Sequence, residues 1–260
     1  MSKAALLLAL FLFAFSPCPG DSPGRAAAAT SGLWQKAVHI HRQNRLWYPE
    51  RITILSEVLN RRGQPTSVTQ FFFSLRMGAD GRLDTELARS LKNGEDTTLK
   101  MREKVRIRDP RQGEGPDDED TYSVSISDSP FVPERQHSVA FQAGGEKRLL
   151  FGHSCQRFDF SYRTSIVRKG ETEELIWNGM AWLEEGSGLP VKLEFTLTPL
   201  PSRIRSLWAI YLYDTAHPDR WVLSKVTISG QGGFLFIRKQ FRTTTTFSDY
   251  RRPTAKEATK

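Results

Sequence analysis

Histidine is the side chain that moves protons and binds metals near neutral pH, so the five histidines are the first candidates for chemistry. They are His39, His41, His137, His153 and His217. His39 and His41 lie two apart in a stretch with helical spacing, so they point in different directions. Metal-binding pairs on helices use spacings of three or four. The chain has no H-E-x-x-H, no C-x-x-C and no histidine-rich cluster, which leaves a zinc site unsupported. Neither common phosphate-cradling glycine pattern occurs, and no serine sits in a G-x-S-x-G elbow. The pairs Glu173-Glu174 and Glu184-Glu185 flank turns beside strands. Neighbours on a strand face opposite sides, so neither pair forms a carboxylate dyad and both read as solvated strand ends. The cluster Asp117-Asp118-Glu119-Asp120 lacks the alternating ligands and central glycine of a calcium loop, and reads as a solvated loop. These absences point to a protein that is not an enzyme and needs no cofactor or metal. Site residues can still converge from distant positions, so a hydrolase acting on cell-envelope polymers is kept as an alternative.

Aromatic and aliphatic side chains are abundant where chemistry-bearing ones are scarce. Trp177, Trp182, Trp208, Tyr211, Tyr213, Trp221, Phe234 and Phe236 fall in the C-terminal half. Core packing is the first explanation for them, and an apolar ligand pocket the second.

The elements that must position these residues are mostly strands. In Val191 to Thr198, Val191, Leu193, Phe195 and Leu197 alternate with Lys192, Glu194, Thr196 and Thr198. Phe158, Phe160, Tyr162 and Ile166 share one face opposite Asp159, Ser161, Arg163 and Ser165. Ile52, Ile54 and Val58 alternate near the start, as do Phe71, Phe73 and Leu75. Turn chemistry at Lys169-Gly170-Glu171, Glu185 to Gly188, His217-Pro218-Asp219 and Gly230 to Gly233 separates the later runs. Short connections imply antiparallel pairing. The spacing predicts strands at 158–168, 173–184, 189–198, 204–214, 220–229 and 233–248. In 204–214, Trp208, Ile210 and Leu212 are apolar on one side, and Leu207, Ala209, Tyr211 and Tyr213 on the other. Such a strand is expected to be covered on both sides.

Two helices are predicted. Ser31 caps one through Asn44, with Leu33, Trp34, Ala37 and Ile40 on one face. Asp84 caps a second, where Leu83, Leu87 and Leu91 repeat every four residues and Asn93-Gly94 marks the stop.

The N-terminus has the features of an export signal. Lys3 precedes an apolar run from Ala4 to Phe15, too short for a stable membrane anchor, and Ala26 to Ala29 offers small residues for cleavage. The boundary is taken after Ala28. Pro17 directly before Cys18 fits a lipidation site poorly. The organisation expected is a signal peptide at 1–28, one β domain at 29–250 and a disordered tail at 251–260. Cys155 is then the only cysteine, and its apolar surroundings from Phe151 to Phe160 mark a buried, inert thiol. The net charge of +8 falls by one when Lys3, Arg25 and Asp21 leave. That excess favours anionic surfaces or serves solubility, and no Lys/Arg block resembles a nucleic-acid arm. Nucleic acid is excluded as a partner on this reading, and a periplasmic monomer is expected.

The stretch Ile176-Trp-Asn-Gly-Met-Ala-Trp-Leu-Glu-Glu-Gly-Ser-Gly-Leu-Pro-Val-Lys-Leu-Glu194 resembles a hairpin of the outer-membrane lipoprotein-sorting proteins, the LolA/LolB-like superfamily. The Cys155 to Tyr162 strand and the closing segments Gly232 to Ile237 and Phe247 to Tyr250 resemble secreted members of the same group. The similarity covers Phe151 to Tyr250. The 61–120 region and the basic tail depart from the carriers, and the carriers' key arginine matches no position here. The resemblance implies a mainly β, α+β fold: a curved antiparallel sheet forming an unclosed half-barrel, with helices packed on its concave side. It also implies an apolar space that holds a lipid or lipoprotein acyl chain. Phe158, Phe160, Tyr162, Val191, Leu193, Phe195, Trp208, Ile210 and Leu212 are the residues expected to line it. A membrane surface or a protein is a further expected partner. An envelope regulator or adaptor with the same fold is the second alternative function.

Overall fold

The computed structural model describes residues 32–78, 83–106, 129–168, 171–200, 204–215, 217, 220–234 and 237–253. The predicted signal, the acidic loop at 117–120 and most of the tail lie outside them. Arg251, which begins the predicted tail, instead ends the last strand and pairs with Tyr48.

Among the described residues, eleven strands form one antiparallel sheet. They are β1 (Tyr48–Leu59), β2 (Pro65–Met77), β3 (Leu83–Lys92), β4 (Glu95–Asp96), β5 (Val139–Leu150), β6 (His153–Arg168), β7 (Glu171–Glu184), β8 (Pro190–Thr198), β9 (Ile204–Asp214), β10 (Val222–Phe234) and β11 (Ile237–Arg251). Their order is β4-β3-β2-β1-β11-β10-β9-β8-β7-β6-β5, and the edges β4 and β5 do not pair, so the half-barrel is unclosed. The predicted meander is present as β6 to β11. The first strand then joins the last, from Tyr48 opposite Arg251 to Leu59 opposite Gln240.

Helix α1 (Gly32–Asn44) forms where helical spacing predicted it, and it buries Trp34, Ala37 and Val38. Helix α2 (Thr98–Arg106) was not expected. The Asp96 side chain accepts from the Thr98 N–H at 2.9 Å and caps it, and hydrogen bonds from the Thr98 hydroxyl and then its N–H lower the Asp96 carboxyl pKa. Both helices lie on one face, here the inner face. Trp34 packs among inner residues of β5 and β6, and Met101 packs against the same core.

The predicted helix at 84–92 is strand β3. A spacing of four keeps residues on one side in both periods, so Leu83 and Leu87 did not discriminate between them. A bulge between Phe72 and Phe73 then turns Leu91 to the other face and brings Ser90 inward. Asn93-Gly94 is not a helix stop. Both residues have positive φ, 52° and 89°, and they link Lys92 to its partner Glu95 in a two-residue hairpin.

Candidate functional site

The inner face is apolar across most of the sheet. Phe158, Phe160 and Tyr162 of β6 lie opposite Ala181, Gly179 and Trp177 of β7. Beyond them come Leu193, Phe195 and Leu197 of β8, then Tyr211 and Ala209 of β9. Five of the predicted lining residues therefore share one surface: Phe158, Phe160, Tyr162, Leu193 and Phe195, all buried. The protein's own aromatic rings fill the space above them. Trp34 stacks on Phe141 at 4.3 Å and meets Phe131 at 4.8 Å, Phe158 at 5.9 Å and Phe160 at 6.3 Å. Phe195 adds edge contacts to Trp177 at 5.1 Å and Tyr211 at 4.8 Å.

The other four predicted lining residues are elsewhere. A bulge between Trp182 and Leu183 interrupts the β8 alternation. Val191 therefore packs with Cys155 and Trp182 in a small cluster apart from the main core. Ala209 and Tyr211 point inward, so Trp208, Ile210 and Leu212 face outward, opposite the predicted side. Trp208 is 37% exposed, and Ile210 and Leu212 are half-buried, so β9 is not fully covered on both sides.

Helix α1 is fastened at one end of the strands. Lys36 Nζ donates to the Gly186 carbonyl at 3.1 Å, and the Trp221 N–H donates to Asn44 Oδ1 at 3.0 Å. The inner face at the other end carries Leu207 of β9, opposite Gly230, then Phe241 of β11 and Val58 of β1 in the same row. Ile228 lies one inward position along β10. All four apolar side chains are only half-buried. Next to this row on β7 and β8 are Trp177 and its partner Leu197. Trp177 is 5% exposed, and its indole N–H has no hydrogen-bond partner among the described residues. The row runs across four strands, so spacing within single strands did not reveal it. The alternation of Ile52, Ile54 and Val58 and the apolar side holding Leu207 are visible in single strands, but their meeting in one row is not.

Polar groups do converge at the β5–β6 and β7–β8 turns. His153 Nδ1 bonds Glu184 Oε1 at 2.8 Å, and the Ser187 hydroxyl donates to the same carboxylate. These bonds hold the Glu184 pKa below the usual carboxylate range. The arrangement is not a nucleophile and its base, because the serine donates to the carboxylate rather than to the imidazole. Ser187 Oγ also accepts the Leu189 N–H at 3.0 Å, as a turn-capping group does. Burial pushes the Cys155 thiol up to about 11, which keeps it protonated and unreactive at neutral pH. Among the described residues no group of three His, Cys, Asp or Glu side chains is placed to hold a metal ion. No described helix is long and apolar enough to cross a membrane.

No family model and no curated protein matches the chain. Among solved structures it is similar to a DUF1329 family protein from Desulfovibrio piger, at 8% identity and a TM-score of 0.33, over 86% of this chain and 92% of that one. It is also similar to the Pseudomonas aeruginosa MucA/MucB complex structure, at 9% identity and a TM-score of 0.23, over 86% of this chain and 98% of that one. A structure of MucB bound to MucA(peri) gives the same identity and TM-score.

Proposed function

We propose that this chain is an exported periplasmic binding protein that holds a lipid or lipoprotein acyl chain on its inner face, and that it acts by binding rather than catalysis. The observation that carries this is the half-buried row Leu207, Ile228, Phe241 and Val58 beside the unpartnered Trp177 N–H. An apolar strip with one buried donor suits a ligand that is mostly hydrocarbon with a single polar acceptor. The lipoprotein-sorting resemblance of the hairpin at 176–194 supports the same ligand class, and the short N-terminal apolar run supports export. Lipid extraction and native mass spectrometry of the purified protein, with fluorescent fatty-acid binding, test it. Leu207→Asp and Phe241→Asp are expected to abolish binding, while Trp208→Asp on the opposite face leaves it intact. Absence of both co-purified lipid and fatty-acid binding overturns the reading.

The adaptor alternative draws on the outer face, where Trp208, Ile210 and Leu212 form a partly exposed apolar stripe. Loss of a defined protein partner on Trp208→Asp, with no lipid bound by the parent chain, favours that function instead.

A further inference from the structure

Two of the most exposed large apolar side chains among the described residues are neighbours. Leu149 is 75% exposed and Phe151 is 68% exposed, both at the tip of the β5–β6 hairpin. The tip is a two-residue turn, Phe151-Gly152, between the paired residues Leu150 and His153. Both turn residues have positive φ, 50° and 87°. That turn type favours asparagine, aspartate or glycine in its first place, because a side chain with bulk at Cβ is strained there. The β3–β4 hairpin shows the favoured solution, with Asn93 at φ 52° and Gly94 at φ 89°. The β5–β6 hairpin holds a phenylalanine in the same conformation, at a point where its ring gains little burial. Folding explains neither the strain nor the exposure.

The hairpin below the tip is braced. Leu150 packs on the Cys155–Trp182–Val191 cluster, and the Arg148 guanidinium lies 5.3 Å from the Trp182 ring centre. Lys147 pairs with Glu185, Arg148 with Glu146 at 2.6 Å and His153 with Glu184 at 2.8 Å. The Lys147–Glu185 and Arg148–Glu146 pairs neutralise charge close to the tip, so local contact there is apolar. The chain as a whole carries +8, one less once residues 1–28 are removed, and this excess draws it toward an anionic surface over a longer range.

We propose that the β5–β6 tip is a membrane-docking finger. Phe151 and Leu149 enter the boundary between headgroups and acyl chains of an anionic bilayer, with the net positive charge of the chain supplying the approach. The site stands apart from the inner face and does not depend on a ligand there. Flotation of the full chain with phosphatidylcholine vesicles, with and without phosphatidylglycerol, tests it. The parent chain is expected to float with the anionic vesicles and more weakly with the neutral ones. Phe151→Asn and Leu149→Ser are each expected to weaken that binding about tenfold while leaving fatty-acid binding unchanged. Phe151→Asn suits the turn, so its melting temperature is expected to equal or exceed the parent's, which separates loss of docking from loss of folding. A parent chain that floats with neither vesicle overturns the proposal. So do variants that float like the parent, as they would if the tip met a protein instead. Equal flotation with both vesicle types overturns the role given to charge.

Discussion

Arg242 of β11 grips Glu57 of β1 with two parallel hydrogen bonds, Nε to Oε2 at 2.6 Å and Nη2 to Oε1 at 3.0 Å. The two residues face each other in the register that joins the first strand to the last. The Glu57 side chain is only 8% exposed, and Arg242 donates to both of its carboxylate oxygens. Arg242→Ala strands a buried carboxylate and is expected to destabilise the fold by about 2 kcal/mol, the arginine's own exposure keeping the figure below that of a fully buried pair. Glu57→Gln/Arg242→Ala together are expected to lose less than the sum of the single changes. Urea unfolding of the four proteins measures this, and strict additivity would contradict the pairing.

Gly179 is where the inner face has no room for even a methyl group. A Cβ there would lie 2.3 Å from the Glu194 carbonyl oxygen and 2.5 Å from Phe195 Cβ. The first of these is backbone, which cannot swing aside. Gly179→Ala is therefore expected to lower stability by about 2 kcal/mol or more, by forcing β7 and β8 apart. Gly186, in the β7–β8 turn, has open space around its Cα. Thermal unfolding of Gly186→Ala is the control, with a shift well below that of Gly179→Ala.

His41 sets a pH dependence. Burial lowers its pKa from 6.5 to about 4, against an opposing pull from Glu134 and with a smaller push from Arg45. Its Nδ1 is buried without a partner among the described residues, and its ring lies 6.1 Å from that of Trp221. Between those two pH values the unfolded chain binds a proton that the native one refuses. Stability is therefore complete above pH 6.5 and falls as the pH drops toward 4, by about 3 kcal/mol at the limit. Denaturant unfolding across this range, compared with His41→Gln, isolates the effect. Equal slopes for the two proteins would contradict it. The paired carboxylates Asp96, Glu146, Glu184 and Glu185 have lowered pKa values, so their contribution is lost at more acidic pH and is common to both proteins.

Trp177 tests ligand chemistry. If its N–H serves an acceptor on a bound lipid, Trp177→Phe lowers affinity for an ester-bearing lipid about tenfold and leaves that for a plain alkyl probe within about twofold. Titration of the two probes against both proteins gives the ratio. Equal losses for both would assign Trp177 to packing alone.

Part of this structure was written locally in the chain. Alternation in Phe158 to Tyr162 and Leu193 to Leu197, with turn residues between the runs, determined antiparallel strands and which side of each is apolar. Helix α1 was equally legible, because Leu33, Trp34, Ala37 and Ile40 recur at helical spacing, and two of them, Trp34 and Ala37, are buried. The tertiary structure decided what no single segment encodes. Bulges reversed Val191 and Leu91, because one extra residue in a strand changes the side its later residues face. On β9 both sides are apolar, so only pairing with β8 could choose Ala209 and Tyr211 for the inner face over Trp208, Ile210 and Leu212. Asn93-Gly94 serves a helix end or a hairpin equally well, and β2 as a neighbour selected the hairpin. The row of Leu207, Phe241 and Val58 exists only because β1 closes against β11, a pairing between residues nearly two hundred positions apart.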